Sequence, residues 1–277
     1  MRYLMDVATL REKLFDENVI ILDARSNLAR PDDGYYAYME EHIVGAQYIH
    51  LEKDLSGEVR THGGNHPLPD VETFSKKLRQ LGVNNDSTVV VYDEGNEMFA
   101  PRAWFVLRYV GIENVYVLQG GFRAWKHATY PVTSETKERR EGNFTPNVQH
   151  DLIITMEEVR DRNVDTEVLL DARAKNRYLG KTEPLYDKAG HIPGAKNFFW
   201  ADILDEDGNW KSKEALQAHF ANLKEYDTII TSCGSGISAC PNVLALQIAG
   251  FDDVKLYVGS FSDWISYEEN DIETKES

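Results

Sequence analysis

The chain has 277 residues, 42% of them hydrophobic, which is enough to form the cores of about two ordinary domains. Its formal net charge of −16 argues against nucleic acid and anionic membranes as partners. No apolar run approaches the roughly 18 residues of a membrane span. The charged N-terminal stretch does not resemble a signal peptide, and the two cysteines suit a reducing, cytoplasmic compartment.

Strands and helices alternate along the first half of the chain. Short β-branched stretches predict strands over 19–22, 46–50, 89–92 and 115–118. Apolar residues at helical spacing predict helices over 71–81 and 103–110. The alternation predicts an α/β fold, in which a mostly parallel sheet carries helices on both faces.

The second half of the chain repeats the plan of the first. Asp23-Ala24-Arg25 matches Asp171-Ala172-Arg173, and the five residues from His42 match the five from His191. Residues 87–93 then match 227–233, and 111–121 match 250–260. A polar, charged stretch separates the copies, so we predict domains over 1–133 and 151–277 joined by a linker over 134–150.

Cys233 lies on a glycine-rich turn between a predicted strand over 228–231 and a predicted helix over 242–248. Gly234 and Gly236 allow several backbone N–H groups to turn inward, beside the positive end of the helix. Such a nest stabilises a thiolate or a persulfide, so we predict that Cys233 is a nucleophile. The alternative is that Cys233 is a small buried hydrophobe. Cys240 is interpreted as a packed residue.

These motifs resemble those of the tandem-domain rhodanese-type sulfurtransferases. The resemblance rests on the paired Asp-Ala-Arg and His-Ile-x-Gly-Ala motifs, the loop Cys-Gly-Ser-Gly-Ile-Ser-Ala and the terminal Gly–aromatic–Trp element. A loop that begins Cys-Gly-Ser-Gly is similar to that of the 3-mercaptopyruvate sulfurtransferases, whereas thiosulfate sulfurtransferases typically have Cys-Arg-Lys-Gly. The resemblance implies two rhodanese-like domains, of which only the second is catalytic, with Asp93 at the cysteine position of the first.

The resemblance also implies a donor site around Cys233. Arg177 is expected to bind the donor's carboxylate, and the family's second arginine is absent, which leaves open whether Lys188 replaces it. Ser235 is expected to form a proton relay with His42 and Asp33. The remaining expected contacts come from the loop: Gly234, Gly236, Ile237 and Ser238.

Other residues with chemical potential are interpreted as structural. Arg25, Arg173 and His191 are expected to fix loops. His62 and His66 lie in a Gly-Pro-rich stretch without a nearby cysteine, so we interpret them as loop residues rather than metal ligands.

The activity implied by the resemblance is a double displacement through Cys233. The thiolate takes sulfur from 3-mercaptopyruvate, releases pyruvate and passes the sulfur to a thiol such as thioredoxin, or to cyanide, without a metal or organic cofactor. Thiosulfate as the donor and a non-catalytic persulfide carrier remain alternatives. A cysteine phosphatase is excluded, because Ala239 stands where the phosphate-binding arginine would close the loop.

Overall fold

The computed structural model describes residues 2–275 and divides into two compact units. Unit 1 contains the chain up to Gly57, together with Leu68–Gln149 and Glu206–Trp210. Unit 2 contains Glu58–Pro67, His150–Asp205 and the chain from Lys211 onward. Each unit therefore includes a short segment from the other half of the chain.

Unit 1 is an α/β unit around a parallel sheet. Its strands are β1 (Leu4–Met5), β2 (Val19–Asp23), β3 (His42–Ile43), β4 (Gln47–Tyr48), β5 (Thr88–Tyr92), β6 (Val115–Leu118) and β7 (Val132–Thr133). Its helices are α1 (Val7–Glu12), α2 (Asp33–Glu40), α3 (Val71–Gln80), α4 (Phe99–Tyr109) and α5 (Gly121–His127). Five parallel strands pair in the order β1-β6-β5-β2-β4, and β3 pairs with β7 in a separate antiparallel ladder.

Unit 2 repeats this architecture. Its strands are β8 (Ile153–Ile154), β9 (Glu167–Asp171), β10 (Lys196–Asn197), β11 (Thr228–Ser232) and β12 (Val254–Tyr257). Its helices are α6 (Met156–Arg160), α7 (Lys175–Tyr178), α8 (Lys213–His219), α9 (Cys240–Ala249) and α10 (Ser260–Trp264), with short 3₁₀ turns at His150–Leu152, Trp200–Ile203 and Ala221–Leu223. Its parallel strands pair in the order β8-β12-β11-β9-β10, which corresponds strand for strand to β1-β6-β5-β2-β4 in unit 1. The sequence repeat is therefore a structural repeat.

The central strands are buried on both faces, which explains their continuous apolar sequences. All five residues of β2 and of β11 are buried. The loops that follow β5 and β11 leave their sheets at the carboxyl ends of central strands, where ligands bind in open α/β sheets.

Two predicted elements differ from those in the structure. Helix α4 begins at Phe99 rather than at residue 103, because Pro101 lies in the first turn, where its missing N–H has no helical partner to lose. The strand predicted over 46–50 is confined to Gln47–Tyr48, since the His50 N–H turns to the Asp54 carboxylate at 2.8 Å. Within residues 2–275, no helix is both long and apolar enough to cross a membrane.

Candidate active site

Cys233 lies on the turn between β11 and α9, the place of the predicted nest. Its side chain is buried, and its sulfur accepts the Gly236 N–H at 3.1 Å. Gly236 has φ +82°, and a Cβ at this position would lie 2.2 Å from the Val258 carbonyl oxygen. A glycine is therefore required both for the backbone conformation and for the close approach. The arrangement confirms the predicted strand, glycine turn and helix around Cys233.

Ser260 is a contact of Cys233 that the sequence analysis missed. Its hydroxyl accepts the Cys233 N–H at 3.0 Å, donates to the Tyr257 carbonyl at 2.8 Å and lies 3.9 Å from the Cys233 sulfur. Ser260 has φ +53°, a conformation that a residue with a Cβ rarely adopts. The repeat carried the signal, because Ser260 aligns with Gly121, which has φ +58°.

The histidine beside Ser235 is His66, whose Nδ1 lies 2.7 Å from the Ser235 hydroxyl oxygen. Its segment, Glu58–Pro67, packs in unit 2. Two backbone contacts hold it there: the Gly63 N–H donates to the Asp263 carboxylate at 2.6 Å, and the Asn65 N–H donates to the Ser262 hydroxyl at 3.1 Å. His66 lies on a loop, as expected, but its contact with Ser235 was not predicted.

His42 and Asp33, which were predicted to form a relay with Ser235, have hydrogen-bond partners within unit 1, and the relay stays a prediction. His42 is buried in unit 1, where its Nδ1 lies 2.7 Å from the Tyr38 carbonyl oxygen and its ring stacks on that of Tyr38. The Asp33 carboxylate binds the side chains of Arg30 and Asn27 at the start of α2. His191 repeats the arrangement of His42 in unit 2, at 2.7 Å from the Tyr178 carbonyl oxygen, and so fixes a loop as expected. Both His-Ile-x-Gly-Ala histidines thus bind a backbone carbonyl oxygen of their own unit.

Arg177 lies beside the cysteine loop. Its Nη2 is 3.6 Å from the position that a Cβ would take on Gly234. Its Nε and Nη2 donate to the two carboxylate oxygens of Glu183, at 3.1 and 2.8 Å. The Glu183 side chain is 2% exposed and also binds Arg173 Nη1, at 3.3 Å. Glu183 therefore fixes the Arg177 guanidinium through one edge, and among residues 2–275 no protein group binds its Nη1.

Lys188 has a backbone partner in unit 2. Its Nζ donates to the Ile265 carbonyl oxygen at 3.1 Å. The group beside the loop is Tyr186, whose hydroxyl oxygen lies 2.8 Å from the Cβ position of Gly234. The substrate contact of Lys188 stays a prediction, and the proximity of Tyr186 to Gly234 was not predicted.

Arg173 and Asp171 form a buried ion pair. Arg173 Nη2 donates to the Asp171 carboxylate at 2.5 Å and to the Gly190 carbonyl oxygen at 2.7 Å, and its guanidinium lies over the Phe261 ring. Arg25 and Asp23 form the same pair in unit 1, at 2.7 Å. The two Asp-Ala-Arg arginines therefore fix loops, as predicted.

The structure also places Ile237, Ser238, Cys240 and His62, which the sequence analysis named. Ile237 is buried and Ser238 is partly buried on the turn that leads into α9, so contacts of these residues with a donor remain predictions. Cys240 is fully buried, and its thiol donates to the Gly236 carbonyl oxygen at 3.3 Å. Cys240 is thus packed, as predicted. The Nδ1 of His62 lies 2.8 Å from the Ser266 hydroxyl oxygen.

Comparisons with known proteins agree with this geometry. A probable 3-mercaptopyruvate sulfurtransferase of Pseudomonas aeruginosa is 39% identical over 269 residues, which cover 95% of each chain. A putative thiosulfate sulfurtransferase of Mycobacterium tuberculosis, SseB, is 37% identical over 90% of this chain and 88% of its own. The crystal structure of SseA from Escherichia coli, described for the rhodanese fold and mechanism of 3-mercaptopyruvate sulfotransferases, superimposes with a TM-score of 0.83 at 34% identity. That superposition covers 94% of this chain and 99% of SseA.

The rhodanese-like domain model matches the chain twice, over residues 6–128 and 155–267. The two matches follow the two copies of the sheet, and the second contains the cysteine nest. This chain therefore belongs to the rhodanese family, as a protein with two rhodanese-like domains.

Proposed function

We propose that this protein is a sulfurtransferase that takes sulfur from 3-mercaptopyruvate onto Cys233 and passes it to a thiol acceptor. The observation that carries the proposal is the nest: the Cys233 sulfur accepts the Gly236 N–H at 3.1 Å, just before the N-terminus of α9. Backbone N–H groups and the helix dipole stabilise negative charge on sulfur, both in the thiolate and in the persulfide.

In the first half-reaction the Cys233 thiolate attacks the sulfur of the donor. The C–S bond of 3-mercaptopyruvate breaks, and its electron pair passes to the adjacent carbonyl as the enolate of pyruvate. A proton must then reach the methylene carbon. Ser235 supplies this proton, and His66, at 2.7 Å, replaces it.

In the second half-reaction an acceptor thiolate attacks the outer sulfur of the Cys233 persulfide. The S–S bond breaks and the Cys233 thiolate is regenerated, which completes a double displacement. Thioredoxin or a small thiol would serve as the acceptor, and cyanide would serve in an assay. Two free cysteines fit a cytoplasmic location.

The division of the chain supports one catalytic domain. We assign residues 1–133 to a non-catalytic domain, 134–150 to a linker and 151–277 to the catalytic domain. The segment Glu58–Pro67 lies in the first sequence domain yet packs in unit 2, where it brings His66 to Ser235.

The donor assignment rests on the charges around Cys233. The loop from Gly234 to Ala239 has no cation, whereas Arg177 lies beside it and can bind a carboxylate through Nη1. The relatives include a protein named for thiosulfate, so thiosulfate is the second candidate donor. Thiosulfate is a dianion, so its binding would be stabilised most by cations in the loop. This loop has none.

The test is a comparison of kcat/KM for 3-mercaptopyruvate and thiosulfate with one acceptor. We expect the higher value for 3-mercaptopyruvate. Arg177→Ala should lower that value by about ten- to a hundredfold, because one charge-assisted carboxylate contact is lost. Arg160→Ala, at an arginine paired only with exposed Asp161, is the matched control and should change little. A preference of the unmodified protein for thiosulfate would refute the donor assignment but not sulfur transfer.

A further inference from the structure

Two side chains lie close to Gly234, the residue that follows Cys233. A Cβ on Gly234 would lie 2.8 Å from the Tyr186 hydroxyl oxygen and 3.6 Å from Arg177 Nη2. The third near atom is Tyr186 Cε2, also at 3.6 Å. The tyrosine hydroxyl and the guanidinium therefore converge on the same side of Gly234, in a space that any side chain at Gly234 would fill.

Tyr186 is held in this place by two contacts of its ring. The ring packs edge-on against the buried Phe261 ring, with centroids 5.9 Å apart. The Arg177 guanidinium lies over the same tyrosine ring, 5.6 Å from its centroid. A side chain whose ring is fixed on its edge and on its face is preorganised for binding.

The Tyr186 hydroxyl is a neutral donor. Burial, followed by the nearby negative charge of Cys233, raises the pKa of Tyr186 above its usual value. The Ser235 hydroxyl oxygen lies 2.7 Å from His66 Nδ1. Because His66 is the proton source of Ser235 in the proposed mechanism, the Tyr186 proton is available to a bound donor.

The charged side chains around Arg177 have no net charge. Arg177 and Arg173 both bind Glu183, and Arg173 also binds Asp171, which makes two cations and two carboxylates. This group of side chains thus offers hydrogen-bond donors without a net positive charge. A monocarboxylate needs two well-placed donors, whereas a dianion such as thiosulfate needs net positive charge.

We propose that Tyr186 is a specificity-determining residue that binds the donor's carboxylate together with Arg177. One carboxylate oxygen takes Arg177 Nη1, and the other takes the Tyr186 hydroxyl. The site then selects a singly charged 2-oxo acid over a dianionic sulfur donor. This inference rests on the proposed function, since it assigns the recognition of the donor at the same cysteine.

The test compares Tyr186→Phe and Tyr186→Arg with the unmodified protein. Tyr186→Phe removes one hydrogen bond to a charged group, so kcat/KM for 3-mercaptopyruvate should fall about tenfold, mainly through KM. The thiosulfate value should change less than about threefold. Tyr186→Arg adds a cation, so the ratio of thiosulfate to 3-mercaptopyruvate kcat/KM should rise at least about tenfold.

Tyr226→Phe is the matched control, because that tyrosine hydroxyl accepts a hydrogen bond from Lys196 at 2.8 Å and does not contact the cysteine loop. A second readout is calorimetric binding of 3-mercaptopyruvate in a Cys233→Ser background, where adding Tyr186→Phe should weaken binding about tenfold. Circular dichroism establishes that each variant is folded.

The outcomes separate the two claims. Unmodified protein that takes no sulfur from 3-mercaptopyruvate contradicts the proposed function, whatever the variants do. If the unmodified protein uses this donor, the Tyr186 inference is overturned by unchanged binding in Tyr186→Phe. It is also overturned by equal losses for both donors, or by a kcat loss with unchanged KM, which would place the hydroxyl in the relay alone.

Discussion

The two loops that follow β5 and β11 have the same backbone frame but different occupants. In unit 1 the Asp93 carbonyl oxygen accepts the Phe122 N–H at 2.9 Å, and in unit 2 the Cys233 carbonyl oxygen accepts the Phe261 N–H at 3.1 Å. Asn96 has φ +60° where Gly236 has φ +82°. The frame therefore builds an anion nest twice, and the residue after the strand decides what the nest holds.

In unit 1 the nest is filled by the protein's own carboxylate. Asp93 is buried and accepts the N–H groups of Glu97 and Ala100, at 3.2 and 3.0 Å. Two more carboxylates, Glu94 and Glu97, follow it, whereas the loop of unit 2 has none between Cys233 and Cys240. A nest that is already occupied, beside further negative charge, has no place for a persulfide. The comparison teaches that the same fold can hold either a carboxylate or a thiol at this turn.

The pair of Ser235 and His66 has the largest expected effect on activity. It is also a difference between the two units, because unit 1 has Gly95 at the position of Ser235. His66→Ala and Ser235→Ala should each lower kcat with 3-mercaptopyruvate by about a hundredfold or more, as expected for loss of a proton donor. The double variant should be no worse than either single one, since the two residues act as a unit.

His62→Ala is the control for this experiment. His62 lies on the same segment and binds Ser266, but it does not bind Ser235. Its kcat should stay within a few-fold of the unmodified value. A single variant of His66 with unchanged kcat would show that the pair at 2.7 Å has no part in catalysis.

Glycine at position 236 sharpens the comparison, because the corresponding Asn96 carries a Cβ. Gly236→Ala should lower the free energy of unfolding by about 3 kcal/mol, from backbone strain and from collision with Val258. Gly250→Ala is the control: it has φ +101° but no atom within 4 Å of its Cβ position, so only strain of about 1 kcal/mol is expected. Denaturant unfolding measures both, and equal costs would show that the approach to Val258 is not tight.

The carboxylates of unit 1 give the smallest expected effect. Burial, followed by Asp93 and Glu94, raises the pKa of Glu97 from 4.5 to about 7. The folded state therefore favours the protonated form, so the contribution of Glu97 to stability is fully present below about pH 4.5 and is lost as the pH rises through about 7. Glu97→Gln should remove this loss and stabilise the protein at pH 8 by about 1 kcal/mol, a value discounted for partial exposure.

Unfolding of Glu97→Gln at pH 4 and pH 8 tests this expectation, with the exposed Glu113→Gln as the control. The difference between Glu97→Gln and the unmodified protein should grow with pH. A constant difference across this range would contradict the assigned cause.

Much of the fold could be predicted from the sequence, because the inner strands of a parallel sheet are continuous apolar runs and the repeat gave each element twice. The cysteine nest could also be predicted, since glycines next to a strand and a helix act locally. His66 could not, because its segment packs with a unit that lies in the other half of the chain. Tyr186 was missed for a different reason: a charged residue was sought where the structure places a neutral hydroxyl.

The central claim is that the nest of unit 2 makes Cys233 the sulfur carrier. The most direct measurement is peptide mass spectrometry of the protein after reaction with 3-mercaptopyruvate and before addition of an acceptor. The account predicts one added sulfur on Cys233, none on Cys240, and neither loading nor turnover in Cys233→Ser. Added sulfur on Cys240, or turnover that survives in Cys233→Ser, would contradict it.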